Sequence, residues 1–390
     1  MMPSDLLREG SHLLTVCNAC RYCEGYCAVW KAMEHRVVFK ERDLNYLANL
    51  CHNCGECYYS CQYSPPHEFD INPPKTFAKI RVSSYEQYAW PRPLAKAFRA
   101  NGLLVSLLTA MLLIAFLLIG SMAVGGRLLA PVRGGNFYQV VPHAVMARTF
   151  GAVGVFIALA LLIGFLRFWR NSGEPYSELA NPGAFTLALK DAFRLKNLDN
   201  GGEGCAYPAE KSSQALRWFH HATFYGFLSC FVATTLGAFD YYVLGWHGPP
   251  AYASLPVIFG TFGGIGLVIG PIGLFLLKQR RNRDIVNTSQ DGMDVSFIVL
   301  LVAISITGLL LLALRESAAM GALLIVHLAL VMTLFVTMPY GKFVHGIYRF
   351  AALLKWALER SRMSASGLSD SKAALTPTQV AGQTTGTTNT

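Results

Sequence analysis

Six apolar stretches, each near the ~20 residues a helix needs to cross a bilayer, limit the fold of this chain more than any other feature. They lie at about 103–123, 146–166, 219–239, 254–277, 295–314 and 320–341. Only 14% of the 390 residues are charged and 53% are hydrophobic, against roughly 25% charged in a soluble chain. The fold expected is mainly α, with a six-helix transmembrane bundle behind a polar, cysteine-rich head over residues 1–100. Prolines at 65, 66, 73, 74, 91 and 93 cut that head into short helices. Such a small domain should have little core of its own and be stapled by metals. Residues 101–350 form the membrane domain, with a cytoplasmic loop at 167–218. Residues 351–390 follow as a cytoplasmic tail, with a disorder-prone composition from about 364.

The net charge of +10 could suit nucleic acid, but the positive charges gather at the ends of apolar stretches, as in a multi-pass membrane protein. The loop 167–218 carries Arg167, Arg170, Lys190, Arg194, Lys196, Lys211 and Arg217, and the next loop on that side carries Lys278, Arg280, Arg281 and Arg283. The opposite side offers only Arg127, Arg133, Arg148 and Arg315. The basic side is expected to be cytoplasmic. An even number of spans then puts both termini and the head on the cytoplasmic face of a bacterial inner membrane, and no nucleic-acid partner is expected. The glycines of the fourth stretch suit close packing of helices more than a pocket.

Eight of the ten cysteines fall between Cys17 and Cys61. The start of the chain has no apolar run of signal-peptide length, so these thiols are expected to stay reduced and bind metal rather than form disulfides. Cys17, Cys20, Cys23 and Cys27 have C-x2-C-x2-C-x3-C spacing, and Cys51, Cys54, Cys57 and Cys61 repeat it. In two-cluster ferredoxins the fourth cysteine of each run serves the other cluster. Cys17, Cys20, Cys23 and Cys61 are therefore assigned to one [4Fe–4S] cluster, and Cys51, Cys54, Cys57 and Cys27 to the other. Structural zinc needs four ligands per tetrahedral site and has no use for a third cysteine at this spacing, repeated twice. The proline that often follows the fourth cysteine is replaced by Ala28 and Gln62. Cys205, in a glycine-rich loop, reads as an ordinary cysteine, and Cys230 as a small core residue.

Histidines inside membrane spans are rare and usually functional. His220 and His221 open the third stretch and His345 follows the sixth. A haem b held by His345 and one of the His220/His221 pair would face the head. The two neighbours point about 100° apart, so only one can face the iron. His327, 18 residues before His345, would lie about 27 Å away along one helix. It could hold a second, outer haem with His143 or hydrogen-bond inside the bundle.

The runs Cys17–Cys27 and Leu50–Phe69, the stretch Gly202–Pro208 and the segment Arg217–His221 resemble the tricarballylate/citrate utilization protein B family, over about residues 12–350. The final span also resembles the last helix of the nitrate reductase gamma subunit, where two histidines share the His327/His345 spacing. The second histidine on that subunit's partner helix is missing here, where Cys230 and Phe231 stand. The resemblance implies a protein that reoxidises the reduced FAD of a partner dehydrogenase acting on tricarballylate, passing electrons to membrane quinone. A related module is fused to a flavoprotein in a cobalamin-synthesis enzyme, so the partner's substrate is not fixed by this chain. No GxGxxG flavin fingerprint occurs in the polar regions, as a separate flavoprotein subunit requires. Two rivals are a heterodisulfide-reductase-like subunit and a tricarboxylate transporter. A transporter has no need for cluster cysteines, and Asp240 and Asp294 sit only at span ends.

Overall fold

A computed structural model describes residues 2–123 and 133–365. Arg127 and the tail from 366 onward, including nearly all of the disorder-prone part, lie outside the described residues. The head consists of α1 (Ser4–Cys20), α2 (Ala28–Met33), α3 (Glu41–Leu50), α4 (Glu56–Tyr59), α5 (Pro73–Tyr88) and α6 (Arg92–Ala100). Local chemistry sets these limits. Asn72 caps α5 by accepting from the Lys75 backbone N–H, and Pro73 and Pro74 fill the first turn, where a missing N–H costs nothing. Asp43 reaches back to the Lys40 N–H at the start of α3.

Six long apolar helices follow: α7 (Gly102–Ala123), α8 (His143–Ser172), α10 (Ala215–Tyr242), α11 (Leu255–Gln279), α12 (Asp291–Ala313) and α13 (Met320–Thr337). Between α8 and α10 lie α9 (Pro182–Arg194) and a two-stranded antiparallel ladder, β1 (Cys205–Ala206) with β2 (Ser212–Ser213). Leu108, Leu112, Phe116, Phe231 and Phe262 are exposed on the long helices, as expected of side chains that face lipid. Helices α10 and α11 pack backbone to backbone: a Cβ on Gly270 would lie 2.5 Å from the Thr223 nitrogen, and one on Gly263 would lie 2.6 Å from Cys230 Sγ.

Two parts of the sequence reading need correction. The expected tail from 351 is instead the body of α14 (Val344–Ala365), whose Ala351, Leu354, Trp356, Ala357 and Leu358 are buried. They share one apolar core with Leu14, Trp30, Leu44, Leu47, Phe77 and Ile80 of the head and Phe168 and Trp169 of α8. The head therefore has a substantial core, because α14 and the end of α8 lend it their apolar faces. The loop expected from 167 likewise begins inside α8, which runs for 30 residues. At 1.5 Å per residue it is about 45 Å long, well beyond the ~30 Å hydrocarbon layer. Ion pairs tie α14 to the rest, with Glu359 meeting Arg36 at 2.5 Å and accepting from the Tyr46 hydroxyl at 3.0 Å.

Candidate functional site

The cysteines fall into two groups. Helix α1 ends at Cys20 because Arg21 turns into the left-handed region, φ 56°, which curls the chain so that Cys23 comes back towards Cys17. Cys17, Cys20, Cys23 and Cys61 line a cavity of about 260 Å3, closed below by Trp30, Met33 and Ile71. Arg21 and Tyr22, on its rim, are exposed. Burial, then the neighbouring thiols Cys23, Cys61 and Cys20, push the Cys17 thiol far up, and burial with Cys61 and Cys20 pushes Cys23 up to about 12. Thiolates that oppose one another's ionisation in this way are a donor set suited to surrounding positive charge.

Cys27, Cys51, Cys54 and Cys57 line the second cavity, together with His52, Asn53 and Cys205. It is narrower, about 20 Å3. Cys27 precedes α2, whose first backbone N–H groups, of Val29 and Trp30, point at its sulfur. Cys51 ends α3, and its sulfur accepts from the Asn53 N–H at 3.3 Å. Gly55, at φ 91°, turns the chain into α4, a conformation that side chains disfavour. The fourth cysteine of each run thus stands with the first three of the other, while Cys57 borders both cavities. Among the described residues no three His, Cys, Asp or Glu side chains are gathered closely enough for a single ion. The eight thiols are set around spaces instead.

Behind the second cavity lies a polar layer that sequence reasoning missed. Arg349 of α14 donates to the Cys51 carbonyl at 2.7 Å, and Arg81 of α5 donates to it at 3.2 Å and to the Ala48 carbonyl at 3.0 Å. His52, next in the chain to Cys51, is within electrostatic reach of Arg349, His220, Arg81 and His345, and burial and then Arg349 hold it well below its usual range. Nothing in the local sequence marked Arg349. The position of His52 within the second cysteine run was the one available signal.

The ring of His220 lies 6.1 Å from that of His345, at 72° between planes. His345 Nδ1 is 2.5 Å from the Lys342 carbonyl, so that nitrogen carries the proton and Nε2 is free to bind. His220 Nδ1 is buried with no hydrogen-bond partner among the described residues. His221 turns the other way, beside the Tyr225 ring, and Tyr225 donates to the Phe193 carbonyl at 2.9 Å. His327 Nδ1 is 3.1 Å from Thr307 Oγ1 on α12, and His143 stacks on Tyr241 with ring centres 3.6 Å apart. The helical ruler from His327 to His345 does not apply: α13 stops at Thr337, turns occupy 338–343, and His345 opens α14. Met338 keeps helical dihedrals, but Pro339 has no N–H to donate to the Phe335 carbonyl, so the helical ladder ends there.

Comparison with known proteins covers both the head and the helical part of the chain. The citrate utilization protein B family matches residues 96–366, and its Fer4-like domain matches residues 10–87. A curated relative, citrate utilization protein B of Escherichia coli, is 46% identical over 361 residues, covering 92% of this chain and 94% of the relative. No solved structure matches. With an iron–sulfur-type cysteine head joined to six long apolar helices, and with both parts matched, the chain belongs to the citrate utilization protein B family, whose Fer4-like domain implies electron transfer.

Proposed function

We propose that this protein takes electrons from the reduced FAD of a separate dehydrogenase of tricarballylate type and delivers them to membrane quinone. The supporting observation is the serial arrangement of three candidate sites. The first cavity opens at the exposed Tyr22, the second lies behind it across Cys57, and His52 leads from the second to His220 and His345. Two [4Fe–4S] clusters in the cavities and a haem b between the histidines would supply one-electron carriers.

The donor sets suit those groups. Cys17, Cys20, Cys23 and Cys61 would hold one cluster, with room for it, and Cys51, Cys54, Cys57 and Cys27 the other. At the second site the thiols support the assignment more than the space does. Two imidazoles bound to opposite sides of one metal, each nitrogen about 2 Å from it, have ring centres roughly 6 Å apart, close to the His220–His345 separation. The Lys342 carbonyl orients the His345 ring, as hydrogen bonds to the second nitrogen of metal-bound histidines do. Trp30, Met33 and Ile71 limit water at the first cavity. The basic ends of the long helices support a cytoplasmic head, where a soluble flavoprotein can dock.

The test is spectroscopy of the purified protein. The expected result is four irons and four sulfides per cysteine site, together with a low-spin b-type reduced-minus-oxidised spectrum. Membranes containing the protein should oxidise the partner's reduced FAD with quinone as acceptor. An unchanged rate in membranes lacking the protein would refute the reading.

A further inference from the structure

Cys205 is buried, 3% exposed, and lies far in sequence from the eight cysteines of the head, yet its chain folds onto one of them. The ladder of β1 with β2 pairs Cys205 with Ser213. Gly204 before it takes φ 81°, and a Cβ there would lie 2.4 Å from the Ser213 backbone, so the turn into β1 requires glycine. The next residue fastens the ladder to the second cysteine run: the Ala206 N–H donates to Glu56 Oε2 at 2.6 Å. The Ala206 carbonyl sits against Gly55, leaving only 3.0 Å to a Cβ there. Leu195, Leu198 and Leu216 cover the sulfur from outside. Cys205 lines the second cavity with Cys27, Cys51, Cys54 and Cys57, and Cys54 packs against the same apolar cluster as Cys205.

We propose that Cys205 is a fifth thiol of the second site that donates its S–H to Cys54 Sγ and so raises the reduction potential of a cluster bound there. The inference rests on the cluster assignment made above. Reduction adds negative charge to a cluster and its thiolate ligands. A donor aimed at a ligand sulfur favours the reduced form, and hydrogen bonds to the sulfurs are among the factors that set cluster potentials. The apolar cover keeps water from replacing that donor. Cys205 is thus a positioning residue that acts through Cys54, and the four ligands remain those of the two cysteine runs.

The test compares Cys205→Ala, Cys205→Val and Cys205→Ser in the full-length protein by iron and sulfide content and by EPR-monitored redox titration. Alanine and valine both remove the donor, and valine also fills the space, so a packing defect alone would separate them. Serine keeps a donor. All three should retain the iron and sulfide of the unsubstituted protein. The alanine and valine variants should shift the equilibrium of one cluster towards the oxidised form by about fivefold, as for loss of one weak sulfur donor, and serine should stay near the unsubstituted value. A common potential in all four proteins overturns the proposal. So does loss of one cluster's iron in the alanine and valine variants, which would make Cys205 a ligand. Absence of iron from the unsubstituted protein would refute the cluster assignment itself.

Discussion

His220 and His345 face each other across 6.1 Å although one belongs to a long apolar helix and the other opens α14, which is built into the core of the head. The interface between bundle and head is therefore also the place where the two imidazoles meet.

Haem ligation should follow that geometry. His220→Ala and His345→Ala should each abolish the low-spin b-type spectrum, since either removes one of the two imidazoles that would hold the haem. His221→Ala and His327→Ala should keep it, because their rings are engaged elsewhere, beside Tyr225 and at Thr307. Difference spectra of the four variants decide the matter, and retention in the His345 variant would place the haem elsewhere.

Crossed ligation can be read by EPR. Cys61→Ser should perturb the same cluster signal as Cys17→Ser, and Cys27→Ser the same signal as Cys54→Ser. If instead Cys61→Ser and Cys54→Ser altered one shared signal and left the other intact, the runs would bind separately.

Packing of α10 on α11 should control the His220 site at a distance. Gly270→Val forces a side chain into the Thr223 backbone, one turn along α10 from His220. Overpacking costs about 1–3 kcal/mol, and the expected outcome is a lowered thermal midpoint with a broadened or diminished b-type band. A substitution at Gly237, where a Cβ meets nothing within 4 Å, serves as the control and should leave both unchanged.

Stability should fall as the pH drops below the ordinary histidine range. The folded His52 is held well below 6.5 by burial and Arg349, whereas the unfolded chain takes up that proton at about 6.5. The contribution is complete above that value and is lost as pH falls towards the folded pKa, by at most about 1.4 kcal/mol per pH unit. Thermal midpoints measured from pH 7.5 to 5 should decline less steeply in His52→Gln than in the unsubstituted protein. Parallel curves would exclude His52 as a contributor.

Spacing revealed the six long helices and the eight cysteines because both signals are periodic and local. The proposed partition of the cysteines also came from spacing; seven of the eight line one cavity each, and Cys57 borders both. The choice between His220 and His221 was not legible, since it depends on the rotation of α10 against α14. Pro339 was legible but was overrun by the apolar pattern that continued around it, which misplaced the end of α13. Cys205 read as an ordinary loop cysteine because its burial beside the second cavity depends on a two-residue ladder whose partner strand looks like polar loop. Arg349 and Arg81 look like surface charges until the carbonyl at the end of α3 gives them a buried acceptor.

Helix α8 enters the head without interruption, and α14 completes the core there. Among the described residues the head is joined to the bundle by an unbroken helix and a shared core, so under the function proposed above it would not swing as a tethered shuttle does. Separations between the three candidate sites are then set by the fold, and under the function proposed above turnover would depend on docking and quinone exchange rather than on a moving arm. For the same reason Asn101 is a poor place to cut the chain: a fragment ending there would leave the apolar faces of Leu44, Leu47 and Phe77 without the helices that cover them.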